Sequence, residues 1–146
     1  MIKKLSILIP AYNEGSTIHL ILNRIKEAEL INNIEKEIII VNDCSTDDTE
    51  DVVKNYIADN PSMGIVLFNQ RYNQGKGAAI HKAIDLATGE YLIVQDADLE
   101  YCPSDYPALI KPFLENQSQA VFGIRNRQGQ YHKFFLNPYY WGGTLI

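Results

Sequence analysis

The sequence predicts an α/β fold, a mostly parallel sheet flanked by helices. Short apolar runs of strand length alternate with segments of helical periodicity along the first 114 residues. Three of those runs end directly in polar clusters: Tyr12–Glu14, Asp43–Asp47 and Asp96–Glu100. Parallel topology carries all three clusters to one edge of one sheet, the edge at which open α/β sheets bind ligands.

The elements follow in order. Leu5–Ile9 is an apolar run ended by Pro10 and suits a central parallel strand. Ala11–Gly15 is a loop, and Ser16 or Thr17 is a helix N-cap. Ile18, Ile21, Leu22, Ile25 and Ala28 then fall on one face of an amphipathic helix. Glu37–Asn42 is a second buried strand closed by Asp43. A cap at Ser45–Asp48 opens a short helix over Asp51–Ala58. Gly64–Phe68 is a third strand. Asn73-Gln74-Gly75-Lys76-Gly77 opens a helix over Ala78–Ala87 whose inner face is Ala79, Ile80, Ala83, Ile84 and Ala87. Gly89 ends it, and Tyr91–Gln95 is the fourth strand. A helix over Ser104–Leu114 and a strand over Gln119–Gly123 complete the pattern. Residues Arg125–Ile146 are aromatic and basic without clear periodicity and stop without a cap, which reads as a chain cut inside an element.

Composition narrows the function. The net charge of −5 argues against a general nucleic-acid binder, which shows a basic face. It leaves room for a small anion, which needs only local cations and backbone N–H groups. Cys44 and Cys102 form neither a zinc spacing nor a disulfide framework, and free thiols fit a cytoplasmic chain. The apolar run after Lys3 and Lys4 is too short for a signal peptide, and no stretch reaches the roughly 18 apolar residues of a membrane span.

The chemistry gathers at Asp96-Ala97-Asp98. Two carboxylates one residue apart at a strand end repel unless a cation or proton lies between them. Hard oxygen ligands used sparingly, with phosphates completing the shell, suit Mg²⁺ or Mn²⁺. Glu100 adds a third oxygen. Asp43 can accept from a base N–H, or cap its own turn. Glu14 can accept from ribose hydroxyls, or favour the helix N-terminus. Tyr12 can stack on a base, or cover the strand edge. Gly75 and Lys76 allow close backbone approach and supply one cation near a diphosphate. The spacing is neither a P-loop nor a dinucleotide fingerprint. Arg125 and Arg127 are candidates for clamping phosphate, or solvated arginines.

As a set, LSILIPAYNEGSTI, EIIIVNDCSTDDT, NQGKGAAIHKAI and YLIVQDADLEYCPSDYPALI resemble the family 2 glycosyltransferases of the GT-A fold, and within them the dolichyl- or polyprenyl-phosphate hexose transferases. The resemblance runs in order over about residues 5–125. It implies a Rossmann-like nucleotide-sugar domain over residues 1–125, with residues 126–146 starting an acceptor-side region that continues further in the family. It implies metal-dependent, inverting transfer of a hexose from a GDP- or UDP-linked sugar to a lipid phosphate or a glycan. By that similarity Pro10, Tyr12, Glu14, Val41, Asp43, Gly75, Lys76 and Ala97 hold the nucleotide. Asp96, Asp98 and Glu100 hold the metal, and Arg125 holds the phosphates, with Asp96, Asp98 and Arg125 as the catalytic set.

Three positions depart from the family pattern. Cys44 stands where glycine is usual, Cys102 where an acidic residue is common, and Ile124 in place of the serine of G-S-R. The aromatic tail, Tyr131 to Trp141, has the composition of an interfacial segment or of acceptor-groove packing. Peripheral contact at the cytoplasmic face of a membrane and self-association are the corresponding expectations. A nucleotidyltransferase is the rival enzyme class, but its loop after the first strand is rich in glycine and arginine, and here that loop is PAYNEG. A nucleotide-sugar-binding module without transfer is the non-enzymatic alternative.

Overall fold

The computed structural model describes residues 3–115, 120–124 and 132–134. The chain divides into two compact units, Met1–Ser104 and Asp105–Ile146. The domain boundary expected near residue 125 lies outside the described residues.

In the first unit β1 (Lys4–Ala11), β2 (Glu35–Asn42), β3 (Ile65–Asn69) and β4 (Tyr91–Val94) form one sheet in the order β3-β2-β1-β4. Every pairing is parallel. The helices α1 (Ile18–Glu27), α2 (Thr49–Asp59) and α3 (Lys76–Leu86) connect the strands in turn. The predicted α/β fold is therefore the observed one. Alternation along β1 and β2 sends Leu8, Ile39 and Val41 to one face, where they pack with Ala79 and Ala83 of α3. The opposite parity, Ile7, Ile9, Ile38 and Ile40, is also fully buried, so both faces of the central strands are covered.

β1 runs on through Pro10 to Ala11 instead of stopping at Pro10. Leu8 O accepts from Gln95 N on the β4 side, and Ala11 O accepts from Asp43 N on the β2 side. Residue 10 shares the parity of Leu8, and pairing with β4 ends at Leu8↔Val94. The missing N–H of Pro10 therefore faces a side that no longer needs a donor. α2 and α3 each begin two residues earlier than expected, because Thr49 and Lys76 already sit in their first turns.

A polar cluster around the buried Ser6 fixes the edge of the sheet remote from the strands' carboxyl ends. Glu37 accepts from Ser6 Oγ, from Thr88 N at 2.9 Å and from Thr88 Oγ1 at 2.7 Å, and Ser6 Oγ also accepts from Gly89 N at 2.9 Å. Burial pushes the Glu37 carboxyl up, but the bonds from Ser6 and Thr88 outweigh it and hold it below its ordinary value. A carboxyl depressed in the folded state adds stability above its unfolded pKa and loses it as pH falls through the folded one. Urea midpoints should therefore decline from about pH 5 downward, and Glu37→Gln should flatten part of that decline. An acid limb identical in wild type and variant would contradict this.

Lys36 closes α1. Its ammonium donates to Ile25 O at 2.6 Å, Ala28 O at 2.7 Å and Lys26 O at 3.2 Å, carbonyls that the helix end leaves without intrahelical partners. Lys36→Met keeps the aliphatic stem and removes the donors. It should lower the unfolding free energy by about 1–3 kcal/mol in urea titration.

The second unit contains α4 (Tyr106–Leu114) and an antiparallel pair, β5 (Phe122–Ile124) and β6 (His132–Phe134), with Gly123 opposite Lys133. The fifth strand thus pairs with a later, unforeseen strand. The helix expected from Ser104 starts as a 3-10 turn over Pro103–Asp105.

Candidate active site

A strand order of β3-β2-β1-β4 reverses direction between β1 and β4, and such a switch point opens a crevice at the carboxyl edge. A cleft of about 410 Å³ lies there. Pro10, Ala11, Tyr12 and Glu14 line it from β1 and its loop, and Asp43 from the end of β2. Asn73, Gly75, Lys76 and Ala79 contribute from the start of α3, and Asp96, Ala97 and Asp98 from the loop after β4.

The loops after β1 and β2 are tied into one wall. Asn13 N donates to Ser45 Oγ at 3.0 Å, and Thr46 N donates to Asn13 Oδ1 at 2.8 Å. Glu14 N donates to Thr49 Oγ1 at 2.8 Å, and Gly15 N to Asp47 Oδ2 at 3.1 Å. Burial raises the Asp47 carboxyl, but its bonds to Thr49 and Gly15 hold it below the ordinary range. Cys44 adopts φ 59°, the left-handed conformation that a glycine at this turn would reach without strain. The turn therefore keeps its shape with cysteine in place.

Asp43 is only 3% exposed, and its carboxylate organises the third wall. Oδ1 accepts from Gln70 Nε2 and from Gln74 N, both at 2.8 Å, and Oδ2 accepts from Gly75 N at 2.7 Å. Gln74 Nε2 in turn donates to Gln70 Oε1. This network brings Gly75, at φ 88°, and the first turn of α3 to the cleft.

The fourth wall is the acidic loop. Gln95, 1% exposed, donates from Nε2 to Asp96 O at 2.9 Å and to Tyr101 O at 3.4 Å, closing the loop from within. Asp98 Oδ1 accepts from Glu100 N at 3.0 Å. Leu99 sits at φ 66°, and its carbonyl accepts from Arg24 Nη1 at 3.4 Å. Lys76 Nζ lies 2.7 Å from Asp96 Oδ1. A cation from α3 thus stands against the carboxylate that was expected to need one.

Of the residues expected at the site, Pro10, Tyr12, Glu14, Asp43, Gly75, Lys76, Asp96, Ala97 and Asp98 meet at this cleft. Val41 does not line it. Strand alternation turns its side chain into the core beside Leu8 and Ala79. Glu100 is exposed and is not part of the lining either. Arg125, Arg127 and the aromatic tail side chains lie outside the described residues. Ala11, Asn73 and Ala79 join the lining, and Gln70, Gln74 and Gln95 support it, although none of them was expected at the site from sequence.

The donor set suits a divalent cation that is shared with phosphate. Among the described residues no three His, Cys, Asp or Glu side chains form a metal cage by themselves. Two carboxylates, Asp96 and Asp98, face the cleft. Mg²⁺ and Mn²⁺ are commonly held in that way, by one or two carboxylates with substrate phosphates completing the shell.

A parallel sheet with an acidic, lysine-bearing cleft at its switch point is the ligand-binding arrangement of open α/β proteins. Residues 6–140 match the Glycosyl transferase family 2 model, and the chain belongs to that family. It is 38% identical over 125 residues to the dolichyl-phosphate beta-glucosyltransferase ALG5A of Trichomonas vaginalis, covering 80% of this chain and 38% of that one. Its fold resembles the mannosyltransferase PcManGT of Pyrobaculum calidifontis in complex with GDP-Man and Mn²⁺, with TM-score 0.63 and 29% identity over 69% of this chain and 29% of that one. It also resembles S. aureus TarS 1-349 in complex with UDP-GlcNAc, with TM-score 0.65 and 26% identity over 77% of this chain and 31% of that one. The chain spans between 37% and half the length of the curated relatives it matches. Among the described residues no helix is long and apolar enough to cross a membrane.

Proposed function

We propose that this chain forms the donor half of a glycosyltransferase that moves a hexose from a nucleoside diphosphate sugar to a polyprenyl or dolichyl phosphate, with inversion. The observation that carries the proposal is the meeting of three strand-end clusters and Lys76 in one cleft at the switch point.

Asp43 receives the base, and the half-exposed Tyr12 ring covers it. Glu14, whose Oε2 accepts from Thr17 Oγ1 at 2.7 Å, is held ready for the ribose hydroxyls. Gly75 and Lys76 meet the diphosphate at the start of α3, where backbone N–H groups and the helix dipole favour anions. Asp96 and Asp98 would hold Mg²⁺ or Mn²⁺, which would supply Lewis-acid stabilisation of the charge on the departing diphosphate. Lys76, whose Nζ lies 2.7 Å from Asp96 Oδ1 at the same cleft, adds a positive charge for the diphosphate oxygens. Arg125 takes a phosphate role by family similarity.

The acceptor oxygen bonds to the anomeric carbon from the face opposite the leaving group. The bond from that carbon to the diphosphate breaks, and its electron pair leaves with the nucleoside diphosphate. A phosphate monoester has a second pKa of about 6, so it attacks as a dianion and needs no general base. A lipid-phosphate acceptor would be met at a membrane surface, taken here as the cytoplasmic face, and the family resemblance assigns the region after residue 125 to the acceptor side.

The test is transfer of labelled hexose from UDP- and GDP-sugars to a short-chain polyprenyl phosphate, with Mn²⁺ and with chelator. Metal-dependent lipid-linked product supports the proposal. The second reading is donor binding without transfer, in which the same cleft holds the nucleotide. Saturable nucleotide binding with no product would select that reading.

A further inference from the structure

Resting on the reading of the cleft as a nucleotide site, we infer that the site takes a uridine nucleotide and discriminates against guanosine. The neighbouring folds do not decide this, since one holds GDP-Man and another UDP-GlcNAc. The hydrogen-bond capacity of Asp43 does. A carboxylate offers about four acceptor positions, two on each oxygen. Gln70 Nε2 and Gln74 N fill both positions of Oδ1, and Gly75 N fills one of Oδ2. One position remains, on Oδ2.

The occupancy of Oδ1 is fixed by its surroundings. Gln70 is 8% exposed, and its Oε1 accepts from Gln74 Nε2. Turning the Gln70 amide over would set its carbonyl against the carboxylate and its NH₂ against the NH₂ of Gln74. The other two donors are backbone groups of the segment that leads into α3.

Uracil presents a single N–H on its pairing edge, and one acceptor position satisfies it. Guanine presents two adjacent donors, N1–H and the 2-amino group. They match a carboxylate only when each oxygen keeps a free position. Against Asp43 one of these donors meets an oxygen that is already full. Adenine and cytosine turn an unprotonated ring nitrogen, an acceptor, toward the same carboxylate. A buried donor left without an acceptor weakens binding by about tenfold or more.

The test is calorimetric titration of UDP, GDP and IDP into the intact chain with Mn²⁺. Inosine carries N1–H but lacks the 2-amino group, so it separates the donor count from the size of the purine. UDP is expected to bind about tenfold or more tighter than GDP, and IDP at least as tightly as GDP. GDP binding as tightly as UDP, or IDP binding more weakly than GDP, would overturn the inference and leave the nucleotide site standing. Binding of none of the three to a folded chain would overturn the nucleotide site itself, and the inference with it.

Discussion

Asp96→Ala is expected to lower any transfer rate by about 100-fold or more, the scale seen when a group that stabilises developing charge is removed from an active site. Its carboxylate lies between Lys76 Nζ, at 2.7 Å, and the cleft that it lines with Asp98. On the proposed reading its removal leaves one carboxylate to hold a divalent metal, and it leaves the lysine without its anionic partner. The side chain keeps 22% exposure and holds no buried network together, so the fold should barely respond. The urea midpoint should stay within experimental error of wild type while Mn²⁺-supported nucleotide binding is lost. Asp96→Asn, close in shape but uncharged, should behave the same way. Retained activity in either variant would move the metal away from this loop.

Gly89→Ala is expected to destabilise the fold by about 2–4 kcal/mol, although alanine is one of the smallest additions possible. A Cβ at this position would lie 2.6 Å from Ser6 Oγ and 2.9 Å from both Lys4 O and Ser6 N. Two of those contacts are backbone atoms of β1, so moving a side chain cannot relieve them. Retreat of Gly89 would stretch its N–H bond to Ser6 Oγ and disturb the start of β4, paired Leu5↔Tyr91. Gly77 is the control. Nothing lies within 4 Å of a Cβ built there, and it sits inside α3, where alanine is the better helix former. Gly77→Ala should therefore stabilise by up to about 1 kcal/mol. Equal urea midpoints for the two variants would contradict the packing described at Gly89.

Much of the sheet was readable from sequence because buried parallel strands need apolar residues on both faces. The runs at Ile38–Val41 and Ile7–Ile9 supply them without a break. The direction of the three clusters followed from the parallel order, and so most of the cleft did too. Pro10 was harder, since its place inside β1 depends on which neighbour its missing N–H would face. Val41 illustrates depth along the strand: two residues before Asp43 and of the same parity, it still sits in the core, and the chain reaches the cleft only where β2 ends after Asn42. Gln70 and Gln95 look like ordinary strand-end polar residues. Their roles arise from bonds to Asp43 and to the carbonyls of Asp96 and Tyr101, contacts that only the folded chain creates. The pairing of Lys76 with Asp96 spans separate loops and has no local signature.

The most direct test of the central claim, a nucleotide diphosphate site completed by a metal on Asp96 and Asp98, is calorimetric titration of UDP in Mn²⁺ and again in EDTA. Saturable binding in Mn²⁺ that disappears in EDTA, and is absent from Asp98→Asn in both conditions, is the predicted result. Binding of equal strength with and without Mn²⁺, or none to a chain shown to be folded, would contradict it.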